Sequence, residues 1–114
     1  GLGDVYKRQQ SIIDTLTHFK IASERHPGAP GIYIDSNSTN HRGAKIAALG
    51  LKVTKHCSYH GLALNVDMNL APFMKINPCG YPDMETVDMK TLGVQATPSS
   101  VAKILVNELS NQLK

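Results

Sequence analysis

The segment from Thr97 onward constrains this chain most. Val101, Leu105, Leu109 and Leu113, joined by Ile104, recur at helical spacing. Thr97 can cap the first turn, and Pro98 suits the first helical position. Such a stripe is a core face, not a cofactor box. The runs upstream are short. "GIYID" (31–35) alternates like a strand, and "SNSTNHRG" (36–43) reads as a polar turn. "AKIAALGLKVTK" (44–55) reads as a strand interrupted near Gly50. In "GLALNVDM" (61–68), Leu62, Leu64, Val66 and Met68 share one face, while Ala63, Asn65 and Asp67 take the other. Those two strands, with "HCSYH" (56–60) between them, suggest a hairpin. A further helix is expected over 9–25 from the spacing of Ile12, Leu16 and Phe19 with Ile13, ended by "HPGAPG" (26–31). A helical turn is expected over 69–74. Residues 75–97 have no period and form the longest irregular stretch, which in compact domains is often functional.

At 114 residues, 41% of them hydrophobic, the chain is one domain or a piece of one. No run approaches the roughly 18 apolar residues of a membrane span, and the first residues lack the apolar region of a secretory signal. A cytoplasmic, reducing setting is therefore expected, in which two cysteines are too few for a disulfide scaffold. Residues 1–9, "GLGDVYKRQ", have no apolar period and read as foreign, adapter-derived sequence set apart from 10–114. The net charge of +3 is unevenly spread: no acidic residue stands between Asp35 and Asp67, where Arg42, Lys45, Lys52, Lys55, His41, His56 and His60 all fall. That stretch is either a solvated surface or a docking face for an acidic partner. Aromatic residues are only 5% of the chain and no recognition motif is present, which argues against nucleic acid.

Two constellations could carry chemistry. His56, Cys57, His60 and Cys79 are zinc-ligand types, but a structural zinc site draws on two spaced pairs, and Cys79 has no companion. No metal is expected. The alternative pairs a thiol with an amine. "INPCGYPDME" (76–85) sets Cys79 between a proline and a glycine, where neither helix nor central strand fits well. "GAKIAALG" places Lys45 among apolar neighbours. Desolvation helps a lysine exchange protons near neutrality, and an ammonium beside a thiol favours the nucleophilic thiolate. From the residues alone, a strand-edge lysine facing solvent remains the commoner arrangement.

"GAKIAALGLKV", "CSYHGLALNVDMNL" and "FMKINPCGYPDME" resemble, in order and spacing, the lipoyl(octanoyl) transferases, over about residues 10–114. The resemblance implies part of the α/β domain shared with lipoate and biotin protein ligases, a mixed or antiparallel sheet with flanking helices. It implies an enzyme that takes octanoyl from octanoyl acyl carrier protein onto Cys79 and passes it to a lysine of lipoyl domains. The implied acceptors are lipoyl domains of 2-oxoacid dehydrogenase complexes and the glycine cleavage H protein, with no cofactor, nucleic acid or membrane expected. Cys79 is then the acyl-thioester nucleophile, and Lys45, 34 residues before it, favours its thiolate and moves protons. Ala48, Leu49 and Gly50, with Gly61, Leu62 and Ala63, become walls of the acyl groove, where small residues allow close backbone approach. His60 and Asn65 are either polar neighbours of the site or structural. The family's upstream Arg-Gly-Gly and Tyr-His-Gly-Pro-Gly block has no counterpart in residues 1–44, which implies the C-terminal half of a transferase. A lipoate ligase is the enzymatic rival, and a non-catalytic binding remnant of the same fold is the other.

Overall fold

The computed structural model describes residues 2–49, 57–59, 62–67 and 85–112. Its elements are α1 (Leu2–His18), β1 (Ser23–His26), β2 (Ala29–Ile34), β3 (Lys45–Leu49), β4 (Cys57–Tyr59), β5 (Leu62–Leu64) and α2 (Pro98–Gln112). The strands form one sheet in the order β1-β2-β3-β5-β4, with all neighbours antiparallel. A parallel bridge between Lys45 and Thr86 makes the sheet mixed. Both helices pack on it and on each other.

α1 differs from the helix expected over 9–25. It is continuous from Leu2, and it stops at His18 because Lys20 takes a left-handed φ of 62° while the Ile21 N–H returns to the Leu16 carbonyl. "SERH" then extends as β1 opposite β2, pairing Glu24 with Tyr33. The Pro-Gly turn expected to end the helix instead closes the β1–β2 hairpin, with Gly28 at φ 75°. α1 is tied to that hairpin by Gln9, whose amide donates to the Ala29 and Pro30 carbonyls (3.3 and 3.2 Å). The Arg25 guanidinium lies 3.9 Å over the Tyr6 ring.

"HCSYH" is likewise not the turn between two strands. Residues 57–59 of it are β4, which pairs Cys57 with Leu64 and Tyr59 with Leu62, so that β5 lies between β3 and β4. Met68, the turn expected over 69–74 and residues 75–84 lie outside the described residues.

One face of the sheet meets the helices. Ile12 and Leu16 from α1, and Val101 and Leu105 from α2, close over Ile32, Ile34, Ile46, Ala47, Leu49, Leu64 and Val66. Full burial of each Ile, Leu or Val side chain among them contributes roughly 1.5–3 kcal/mol. The stretch 85–97 is irregular, as expected, yet it belongs to the core: Val87, Asp88 and Met89 are almost wholly buried. Asp88 Oδ1 accepts the Thr91 N–H at 2.7 Å and shapes the turn that follows. α2 is capped as expected. Thr97 Oγ1 accepts the Ser100 N–H at 3.1 Å, and Ser100 Oγ accepts the Thr97 N–H at 3.2 Å. Val101, Leu105 and Leu109 are its buried stripe; Leu113 is outside the described residues.

Candidate active site

In a regularly alternating β3, Lys45 would share a face with Ala47 and Leu49, beneath the helices. It does not. The β2–β3 register steps from Ile32–Ala47 to Tyr33–Lys45, so Ile46 is the extra residue of a β-bulge. Ile46 and Ala47 both enter the helix-covered core, and Lys45 is turned to the opposite face with its partner Tyr33. A one-residue slip moves a side chain from one face of a sheet to the other. Here it spares the core an ammonium group, whose burial would be costly without a partner.

Along that second face, Ala48 pairs with Ala63 and both are small, one half-buried and the other buried. The register thus aligns Lys45, Ala48 and Ala63, three of the residues expected at the site. Leu49 lies on the other face. Its side chain is in the helix-covered core, not on the face that carries Lys45. Its contribution to a groove would come from the main chain. Leu62 pairs with Leu49. Gly50, His60, Gly61 and Cys79 lie outside the described residues. Among the described residues, no three His, Cys, Asp or Glu side chains group as metal ligands.

Lys45 is held at its backbone by the returning chain. Its N–H donates to the Glu85 carbonyl (2.8 Å), and its carbonyl accepts the Val87 N–H (2.9 Å). Asn65 organises the same junction. Its N–H donates to Ile46 O (3.0 Å), its carbonyl accepts the Met89 N–H (3.0 Å), and its side-chain amide donates to Val87 O (3.0 Å). Of the two roles open to Asn65, the structure displays this structural one. In the basic stretch, His41 Nδ1 meets Glu85 Oε2 at 2.7 Å while Arg42 is exposed.

Two residues beside Lys45 escaped the sequence reading. Gly31 lies against the lysine chain: a Cβ placed on it would fall 2.9 Å from Lys45 Cε and 3.3 Å from Tyr33 Oη. Tyr33 is buried and its ring stacks on His26 at 4.0 Å and 3°. His26 Nε2 is in turn 3.0 Å from Glu24 Oε2. A glycine inside a strand signals close approach of another group, and that was the available clue.

The chain is 55% identical over 108 residues to the octanoyltransferase of Paraburkholderia phymatum, covering 92% of this chain and 42% of that protein. It is 54% identical over 110 residues to the octanoyltransferase of a Janthinobacterium species (96% and 50%). It is 52% identical over 112 residues to that of Polynucleobacter necessarius (96% and 52%). The chain thus spans about half the length of the curated relatives it matches. The family model described as the lipoyl protein ligase A/B catalytic domain matches residues 2–110, and the chain belongs to that family.

Proposed function

We propose that this chain carries the thiol–amine pair of an octanoyltransferase, with Cys79 as nucleophile and Lys45 as its acid and base. The observation that carries the reading is the bulge at Ile46, which takes Lys45 out of the core and aligns it with Ala48 and Ala63. Covalent reach permits the pairing. Cys79 precedes Glu85 by six residues, and the Glu85 carbonyl accepts a hydrogen bond from the Lys45 N–H. Six residues span at most about 20 Å fully extended. Relatives bearing the name octanoyltransferase add the reaction type.

The chemistry balances without an external acid or base. The Cys79 thiolate attacks the octanoyl thioester carbonyl of acyl carrier protein. The bond to the carrier sulfur breaks, and the carrier thiol takes a proton from the Lys45 ammonium. The amine of an acceptor lysine then attacks the acyl-enzyme. The acyl–sulfur bond breaks, an amide forms, and the released proton returns to Lys45 as the thiolate is regenerated. The small pair Ala48 and Ala63 leaves room beside the lysine for an alkyl chain, with Gly50, Gly61, Leu62 and the Leu49 backbone as further walls. The acceptors are lipoyl-domain lysines of 2-oxoacid dehydrogenase complexes and the glycine cleavage H protein.

The test is acyl-enzyme formation. After incubation with octanoyl acyl carrier protein, the tryptic peptide 76–90 should gain the mass of an octanoyl group. Cys79→Ser should abolish the gain, and Cys57→Ser should keep it. Labelling that depends on Cys57 and survives Cys79→Ser would refute the assignment.

A further inference from the structure

Gly31 has an ordinary backbone: it is not among the residues of positive φ, so no turn requires a glycine there. It is buried mid-strand, where glycine is disfavoured because it contributes no side chain and orders poorly. What the position does require is space. A Cβ would lie 2.8 Å from the Ala47 carbonyl oxygen, 2.9 Å from Lys45 Cε and 3.3 Å from Tyr33 Oη. The first is backbone of the bulged strand; the second is the methylene carrying the reactive amine. The cleft left by the missing Cβ is therefore bounded by the bulge, by the lysine and by a tyrosine whose ring is clamped against His26.

We infer that Gly31 is a positioning residue: its missing side chain forms the seat in which the Lys45 methylenes lie, and this fixes where the amine sits. The inference rests on the Cys79–Lys45 reading for its catalytic meaning, but the seat itself is a property of β2 and β3. Tyr33 bounds it from the side. Because Tyr33 registers with Glu24 on one edge and Lys45 on the other, and stacks on His26, its hydroxyl cannot swing away without breaking that stack. A displacement of about 1 Å in a catalytic group can cost about a hundredfold in rate, so a seat of this size matters.

Gly31→Ala, Lys45→Ala and the double variant test this through two readouts. The first is the rate at which an N-hydroxysuccinimide ester acetylates Lys45, resolved by peptide mass. Gly31→Ala should change it several-fold while other lysines react as before. The second is iodoacetamide alkylation of Cys79 at pH 7, with the Cys57 peptide 56–75 as internal control. Lys45→Ala should slow it about tenfold by removing the charge that favours the thiolate. Gly31→Ala should slow it several-fold, and the double variant should be no slower than Lys45→Ala alone. If Gly31→Ala leaves Lys45 acetylation unchanged, the seat does not exist. If it slows alkylation equally with and without Lys45, or prevents folding in both backgrounds, Gly31 serves only the approach to the Ala47 carbonyl, and the assignment is overturned. If Lys45→Ala leaves Cys79 unaffected while Gly31→Ala still alters Lys45 acetylation, the thiol–amine pair fails and the seat stands.

Discussion

Replacing Asn65 with alanine separates the two roles open to that residue. Its backbone bonds to Ile46 O and Met89 N–H survive the change, so the loss is confined to the side-chain amide that donates to Val87 O at 3.0 Å. Val87 is 1% exposed, so water reaches its surroundings poorly and its carbonyl loses a donor that solvent does not readily replace. Leaving a buried acceptor unmet costs about 1–3 kcal/mol. For a domain of this size that lowers Tm by roughly 4–12 °C. Asn65→Asp should lose more at pH 7, because an ionised carboxylate cannot donate and sets oxygen against oxygen. Part of the loss should return as pH falls, since the protonated carboxyl donates again. Thermal melts followed by circular dichroism at pH 7 and at about pH 4.5 read both effects. Cys79 alkylation, measured well below Tm, should change little in Asn65→Ala. A melt within a degree of the parent together with a large change in Cys79 reactivity would refute the structural account and place Asn65 at the site.

Two further substitutions probe the frame around Lys45. Leu105→Ala removes a wholly buried side chain where α2 closes on the core, and should cost about 2–5 kcal/mol in urea unfolding. Gly43→Ala meets no atom within 4 Å but sits at φ 78°, so it should lower stability by about 1–2 kcal/mol through backbone strain alone. Unlike Gly31→Ala, it should leave Lys45 acetylation unaltered.

The elements whose side chains keep a strict period were legible from residues alone. α2 shows its stripe, its Thr97 cap and its Pro98 start openly, because each is a local preference that tertiary packing reinforces. "GIYID" was legible as strand for the same reason. The end of α1 was not. Nothing in "FKIASERH" breaks a helix as proline or glycine would, and the left-handed Lys20 that ends it is an uncommon choice for a residue with a Cβ. "HCSYH" hid a strand because three paired residues are too few to show alternation. Val87 and Met89 were hidden in another way: they bury without a period, since they lie between one parallel bridge and the start of a turn. At the site, Lys45 was visible as a lysine among apolar residues. The face it takes was not, because a bulge is a property of two strands together and leaves alternation in one of them out of step.

The edge of β3 explains why side-chain seating, not backbone motion, sets the placement of Lys45. That edge is shared. Residues 62–64 of β5 cover Leu49 to Ala47, Asn65 N–H continues to Ile46 O, and at Lys45 the partner becomes the chain from Glu85 to Val87. The handover could fray, since two separate segments meet there. It is closed by Asn65, which bonds to both, and by the Lys90 N–H donating to Val66 O at 3.0 Å. On its other side Lys45 registers with Tyr33, and next to it the Ile34 N–H donates to Ala44 O at 2.8 Å. With neighbours on both edges, the Cα of Lys45 has little room to move, and the amine is steered by the four carbons beyond it. A long, many-rotamer side chain on a fixed backbone is placed by what it lies against. Against Lys45 Cε lies the space over Gly31, bordered by a tyrosine held in a ring stack. Rigidity of the strand and emptiness of one glycine therefore act together: the first fixes where the lysine starts, and the inferred seat steers the path of its methylenes.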